Sequence, residues 1–321
     1  MRQPVLTISV AAYNVGDYLE RGLMSLCDID GIEVLIVNDG STDETGAIAA
    51  KFESKFPETF RFIDKPNGGY GSTVNRGLHD AKGKYFKILD GDDWFSPDAL
   101  RDLVRFLATS DDDLILMPGQ FVKEGTALDD SSEFSCRQGQ SIDFETLSKM
   151  VGQLHMAVRT TTLKASGMRL PENCFYTDQI FTIQSLISAK TVRYFAEPVY
   201  CYRIGREGQS ITKENRINHI DDLKRVVLIG NRLIAEQNPS LSNYVIERQA
   251  TYYASLIKTY LLCMPSREIH SQLVSLEKQT ASLNPVIFST AYKISRSVRL
   301  ARSFNYKGYW VASRLINRSW N

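Results

Sequence analysis

Along the first third of the chain, short apolar runs alternate with stretches in which apolar residues return every three or four positions. Val5-Leu-Thr-Ile-Ser-Val10 is apolar and β-branched, ends at Tyr13-Asn14, and is followed by helical spacing over residues 17–26. This predicts a strand, a loop and a helix. The pattern recurs: Ile32-Glu-Val-Leu-Ile-Val37 reads as a strand, Asn38-Asp39-Gly40 as a turn, and Ser41-Thr-Asp-Glu44 as a capping box opening a helix to Phe56. A third strand over residues 60–63 leads through Pro66-Asn67-Gly68-Gly69 into a helix over 72–81, and residues 84–89 form the fourth strand. Such alternation predicts an α/β fold, a mainly parallel sheet with helices on both faces and ligands gathered at the C-terminal strand ends. Asn14, Asp39, Asn67 and Asp90 lie at those ends.

Beyond Asp90 the pattern loosens. Residues 113–117 read as a strand, 122–140 as a polar loop or hairpin, 144–151 and 163–167 as short helices, and 178–189 as a longer one. Residues 192–202 are strand-like, with Pro198 marking an edge or bend. Long helical periodicities follow over 217–236, 242–264 and 267–279, which divides the chain into residues 1–211 and an all-helical region, 212–321.

Composition narrows the function classes. With 321 residues and 43% hydrophobic content the chain can bury a large core. A formal charge of +1 supplies no overall attraction to nucleic acid. The five cysteines are scattered without a Cys-x-x-Cys pair, against a disulfide framework or zinc site and in favour of a reducing cytoplasm. The N-terminal apolar stretch is too short for a signal peptide or membrane span.

The sharpest chemical signal is Lys87-Ile-Leu-Asp90-Gly91-Asp92-Asp93-Trp94, which sets three carboxylates at the end of an apolar strand. Adjacent carboxylates raise each other's pKa unless a cation compensates. Mg2+ or Mn2+ suits such oxygen ligands and keeps positions for substrate phosphates. A polar turn with Asp92 or Asp93 capping the helix begun at Ser96-Pro97-Asp98 is the plainer reading of the same residues.

Ser9-Val-Ala-Ala-Tyr13-Asn14, Val37-Asn-Asp39-Gly-Ser-Thr-Asp43, Asn67-Gly-Gly-Tyr-Gly71 and Asp90-Gly-Asp92-Asp93, in that order, resemble the family 2 glycosyltransferases of GT-A fold. Phe175-Tyr176-Thr177-Asp178 and Tyr202-Arg203 extend the likeness to about residue 211. The resemblance implies a metal-dependent inverting enzyme that transfers a sugar from a nucleotide-diphosphate sugar, UDP-sugar first, to a glycan or lipid-linked glycan. Backbone at Ala11 to Tyr13, with Asp39, would hold the base, an Asx-turn being the alternative for Asp39, and Asn14 and Gly91 belong to the same nucleotide site. Gly68, Gly69 and Gly71 would let backbone approach the donor or else form a flexible turn, and Arg76 would reach a phosphate or else be a solvated helix arginine. Asp90 would contact ribose or metal, and Asp92 would ligate the metal. Asp178 is the candidate base, standing where the family commonly has an acidic pair and this chain has Thr177 before it. Helix capping is its alternative. Arg203 and Arg206 are candidates for diphosphate or acceptor, with surface salt bridges as the alternative, and His155 is an acceptor-side candidate or a core histidine. No QxxRW motif is present, against a processive synthase.

From Lys278 onward there is no Asp or Glu, while Lys293, Arg296, Arg299, Arg302, Lys307, Arg314 and Arg318 alternate with Phe304, Tyr306, Tyr309, Trp310 and Trp320. That mixture suits an anionic membrane surface, hence a protein peripheral on the inner face of the membrane, or a tail packed on its own domain or on a partner in a homo-oligomer. Two other functions share the fold: a sugar nucleotidyltransferase, whose Gly-rich basic N-terminal loop Tyr13-Asn14 does not resemble, and a non-catalytic scaffold, against which the Asp90, Asp92 and Asp178 set argues.

Overall fold

The apolar runs of the first third form the middle of a seven-stranded sheet. The computed structural model describes residues 3–123, 126–128, 136–147, 150–205, 212–237 and 242–319, and the chain divides into two units, Met1–Glu207 and Gly208–Asn321. In the first unit β1 (Leu6–Ala12), α1 (Gly16–Met24), β2 (Ile32–Asn38), α2 (Thr45–Lys55), β3 (Phe60–Asp64), α3 (Tyr70–Asp80) and β4 (Tyr85–Asp90) alternate as the periodicity predicts. Strand β1 runs parallel to β2 on one side, Leu6 opposite Ile32, and to β4 on the other, Leu6 opposite Tyr85, so Ala12, Asn38 and Asp90 finish at one edge. Leu6, Ile8, Val10, Val34, Ile36 and Leu89 are fully or almost fully buried, as a strand covered on both faces requires.

The less regular stretch builds β5 (Trp94–Phe95), α4 (Pro97–Thr109), β6 (Leu114–Leu116), β7 (Gly119–Lys123), β8 (Thr126–Leu128), β9 (Met156–Arg159), α5 (Thr160–Ala165), α6 (Asp178–Ser188), β10 (Val192–Tyr194) and β11 (Tyr200–Arg203). The large sheet has the order β10-β6-β9-β4-β1-β2-β3, with β9 antiparallel to both β4 and β6 and the remaining pairs parallel. A smaller sheet follows the order β5-β11-β7-β8. Two sequence expectations differ in detail, and the hairpin expected after Val122 is present. The strand-like residues 192–202 are two strands, because β10 pairs with β6 in the large sheet and β11 with β5 and β7 in the small one. The helix expected over 144–151 is a 3-10 turn, Phe144–Thr146; the Asp143 carboxylate accepts from the Glu145 N–H, and Leu147 is extended. The polar stretch after Val122 begins as the hairpin β7–β8.

The second unit is helical: α7 (Lys213–Asn218), α8 (Ile220–Ala235), α9 (Asn243–Leu262), α10 (Arg267–Leu283), α11 (Pro285–Ile294), α12 (Arg296–Arg302) and α13 (Tyr309–Ser319). Tyr253 and Tyr260 of α9 are core residues. Buried Glu277 of α10 pairs with Arg302 and accepts from the Tyr253 hydroxyl, and the Arg302 guanidinium also lies 3.6 Å from the Phe288 ring centroid. The basic segment is therefore packed into its own unit through α11, α12 and α13, whose Ile287, Ala291, Val298, Ala301, Tyr309 and Ala312 are buried. No described helix is long and apolar enough to cross a membrane.

Candidate active site

At the edge where β1, β2 and β4 end, each strand hands the chain to a turn tied by side chains. Asn14 takes a left-handed φ of 48°, its N–H donates to Ser41 Oγ, and its Oδ1 accepts from the Thr42 N–H. Tyr13 beside it is exposed, and Asp43 accepts from the N–H groups of both Gly16 and Thr45. The capping box expected over Ser41 to Glu44 is not formed, because Glu44 holds the cap position of α2 without a side-chain cap bond and Ser41 is tied to Asn14 and Asn38 instead.

Asp39 lies beneath the glycine turn. Its carboxylate, 1% exposed as a residue, accepts from the Gly68 N–H at 2.9 Å and the Gly69 N–H at 2.8 Å, and it pairs with Lys65. An anion against free N–H groups just ahead of α3 is favoured by both the hydrogen bonds and the helix dipole. Gly69 itself has φ +78°, and at Gly71 a Cβ would overlap the Pro171 carbonyl oxygen. These two glycines thus allow the turn and let the segment 171–177 lie directly on α3. Asn173 N–H donates to Gly68 O at 2.7 Å, and Asn173 and Tyr176 are left-handed. Asp178, the first residue of α6, follows that braced segment, so Thr177 and not Asp178 occupies the cap position. An open cleft of about 400 Å³ beside the turn is lined by Lys65, Ser72, Asn75, Arg76, His79, Met168, Arg169 and Glu172. Arg76 there donates to Asp80 at 2.9 Å.

The three carboxylates of the acidic turn have different surroundings. Asp93 is buried; its Oδ2 accepts from the Tyr200 hydroxyl at 2.7 Å and its Oδ1 from the Arg203 N–H at 2.7 Å. Asp90 is half-buried, its N–H donates to the Tyr200 hydroxyl oxygen, and its carboxylate accepts from Gln153 Nε2 at 3.2 Å. Asp92 is half-buried, and its carbonyl accepts from Arg203 Nε at 2.9 Å. The Arg203 guanidinium lies near the Tyr18 and Trp94 rings, at 4.9 and 5.1 Å. Asp178 adds its charge to the same place, acting on Asp90, Tyr70 and Tyr202.

This crowding is chemically costly without a proton or cation. Burial, then the Asp92 charge, push Asp90 up to about 7; burial, then the charges of Asp90 and Asp92, push Asp93 up to about 8. The Tyr70 hydroxyl lies 2.8 Å from Asp90 Oδ1 and 2.7 Å from Gln153 Oε1. It has one proton for two acceptor oxygens, so the second contact requires a proton on Asp90 or a rotated amide. Among the described residues no three His, Cys, Asp or Glu side chains form a ready metal cage. Two half-buried carboxylates still fit Mg2+ or Mn2+, which commonly takes one or two protein carboxylates and completes its shell from substrate phosphates.

The remaining sequence candidates are placed as follows. Ala11 accepts from the Gly91 N–H at 3.0 Å, joining β1 to the acidic turn. His155 is 5% exposed, and its Nδ1 accepts from the Gly152 N–H. Arg206 lies outside the described residues, as does Trp320. Tyr70, Gln153 and Tyr200 were not singled out from sequence, although Tyr70 stands inside the glycine motif. Nor was Lys87, a fully buried lysine whose Nζ donates to the Leu154 and Met156 carbonyls and whose pKa burial lowers to about 7. It fastens β4 to the segment that carries Gln153.

The model of the glycosyl transferase family 2 domain matches residues 7–166. The chain is 30% identical over 216 residues to the putative glycosyltransferase EpsH of Bacillus subtilis, covering 64% of this chain and 62% of that protein. It is 26% identical over 216 residues to the poly(ribitol-phosphate) β-N-acetylglucosaminyltransferase TarS of Staphylococcus aureus, covering 64% of this chain and 36% of TarS. The chain thus matches less than two thirds of the length of either. The crystal structure of TarS 1–349 with UDP-GlcNAc superposes with a TM-score of 0.74 at 20% identity, covering 98% of this chain and 91% of that one. The mannosyltransferase PcManGT of Pyrobaculum calidifontis, solved with GDP-Man and Mn2+, gives 0.52 at 14% identity, covering 99% and 88%. Both likenesses are of fold, and the fold is GT-A followed by a helical region.

Proposed function

The chain belongs to glycosyl transferase family 2, and from that premise we propose that it transfers a sugar, with inversion, from a UDP-sugar to a hydroxyl of a glycan or lipid-linked glycan. The observation that carries the reading is the acidic turn at Asp90 joined through the Tyr70 hydroxyl to the glycine turn at Gly68 and Gly69, both at the C-terminal edge of a parallel sheet. The TarS complex with UDP-GlcNAc supports uridine as the base, and the name of TarS, a poly(ribitol-phosphate) β-N-acetylglucosaminyltransferase, supports a polymeric acceptor.

In this reading Ala11 to Asn14 present backbone to the base, and Asp39 keeps the turn at Gly68 and Gly69 in shape to receive the donor. Asp90 and Asp92 hold the divalent cation. A bound Mn2+ or Mg2+ would neutralise charge on the departing diphosphate. Tyr70 and Gln153 orient the Asp90 carboxylate. Asp178 takes the proton from the acceptor hydroxyl as that oxygen bonds to the sugar C1 and the bond from C1 to the diphosphate oxygen breaks, releasing UDP. Arg203, near the acidic turn, adds positive potential where diphosphate charge develops. Arg206 would add a second positive charge toward the diphosphate or the acceptor.

Calorimetry with UDP in Mn2+, and turnover of a nucleotide-sugar panel, test it. Asp92→Ala is expected to abolish the metal-dependent part of UDP binding. Asp178→Asn should keep UDP binding and lose about 10²- to 10⁴-fold in turnover. Binding indifferent to chelator and to Asp92→Ala, or full turnover by Asp178→Asn, would overturn the corresponding assignment.

A further inference from the structure

The second unit carries a surface that the donor site does not use. Glu277, the last acidic residue of the chain, is buried in its pair with Arg302. Residues 278–321 then contain eight lysines and arginines and no aspartate or glutamate, whereas residues 1–277 hold 30 basic against 37 acidic side chains. The net charge of +1 conceals this segregation.

Two contiguous pieces of the basic segment face outward. The turn from Ser303 to Gly308 passes through three successive left-handed residues that are not glycine: Phe304 at φ 51°, Asn305 at 54° and Tyr306 at 67°. L-residues avoid that region, so the surroundings must hold it. Gly308 N–H donates to Ser303 O, Ser303 Oγ donates to Leu300 O, and the His270 ring lies 3.2 Å from Tyr306 O. The result is a Phe304 that is 85% exposed, beside exposed Lys307. Helix α13 then buries Tyr309, Ala312 and Ser313, whose hydroxyl donates to Leu261 O of α9. That leaves Trp310, Val311, Arg314 and Leu315 on its outer face, with Trp310 37% exposed. Trp310, Val311, Arg314 and Leu315 therefore share the outer face of α13 at helical spacing, and exposed Phe304 and Lys307 precede it in the turn.

A second copy of the chain is a poor occupant, because like faces that are both cationic repel. An anionic bilayer meets both properties: phosphates take the lysines and arginines, while Trp and Phe rest at headgroup level. Helix α13 has 11 residues, about 16 Å, and so lies in the interface without crossing it. We infer that the 303–308 turn and the outer face of α13 are a docking surface for an anionic lipid bilayer. This holds whatever sugar or acceptor the first unit uses.

Sedimentation of the full chain with vesicles tests it, comparing pure phosphatidylcholine with a mixture containing one third phosphatidylglycerol. The intact chain is expected to bind the mixture, to release as salt is raised, and to ignore the neutral vesicles. Phe304→Ser with Trp310→Ser should weaken binding about tenfold or more. Lys307→Glu with Arg314→Glu should weaken it about 25-fold or more, at about fivefold for each charge. Circular dichroism and the melting midpoint check that both variants are folded, and the salt series on the intact chain needs no variant. Failure of the intact chain to bind the mixture, equal binding to neutral vesicles, or undiminished binding by both folded variants would overturn the inference. So would concentration-dependent self-association, without lipid, that these substitutions remove.

Discussion

Asp93 sits among carboxylates yet is spent on structure, since both its oxygens are taken by Tyr200 and the Arg203 N–H. Its elevated pKa and that of Asp90 have a definite consequence for stability. Unfolded carboxyls titrate near about 4, so between that value and about 7 to 8 the folded chain holds protons that the unfolded chain has lost. These two groups therefore make the metal-free protein less stable as pH rises through that window. A cation that replaces the protons should stabilise more as the protons leave. Melting curves should show a larger upward shift with Mn2+ at about pH 8 than at about pH 6; a shift of equal size at both would count against Asp90 as a ligand. The contrast between Asp93 and Asp90 was not legible in the motif. Three acids in four positions announce a charge problem, but which are bonded by Tyr200 or Gln153 depends on chain far downstream.

At the scale of elements, the site rests on how closely α3 and the segment before α6 approach. Gly71→Ala would drive a methyl into the Pro171 carbonyl, and the expected cost is about 1–3 kcal/mol of stability. Because the displaced segment leads to Asp178, turnover should fall more than UDP binding does; an unchanged melting midpoint would mean that the segment yields freely. In the helical unit, Arg302→Ala strands Glu277 in the core and should cost about 3–5 kcal/mol, measured by denaturant unfolding. Pairing Arg302→Met with Glu277→Leu should return much of it. The parallel strands β1 to β4 were legible because fully buried strands are continuously apolar and carry turn residues at their ends. Strand β9 was not. Its four residues, Met156–Arg159, have no periodicity of their own and become a strand by entering between β4 and β6. Lys87 misleads in the opposite sense, a charge within an apolar run that is nonetheless buried because two carbonyls accept its protons.

For the whole molecule, all of the described candidate donor-site residues lie in Met1–Glu207. A fragment ending at residue 207 is expected to fold as an independent domain and to bind UDP within about threefold of the full chain. Calorimetry on the fragment decides this, and loss of UDP binding by a folded fragment would show that the helical unit contributes to the donor site. From periodicity the sequence divides the chain near residue 211, since alternating strand and helix signals give way there to long amphipathic ones. It did not reveal the second sheet, whose strands β5, β8 and β11 have two to four residues each and are defined only by their partners.

The ties from Tyr200 and Arg203 to the acidic turn reach back 107 to 111 residues along the chain. During synthesis at about 5–20 residues per second, roughly 5 to 20 s separate the emergence of that turn from the arrival of the residues that close it. The Asp93 carboxylate therefore leaves the ribosome long before its partners exist, whereas Tyr70, the hydroxyl partner of Asp90, precedes it. A nascent chain halted before Tyr200 would leave Asp93 without the Tyr200 hydroxyl and the Arg203 N–H, so completion of the proposed catalytic turn is timed by one of the last strands of the unit.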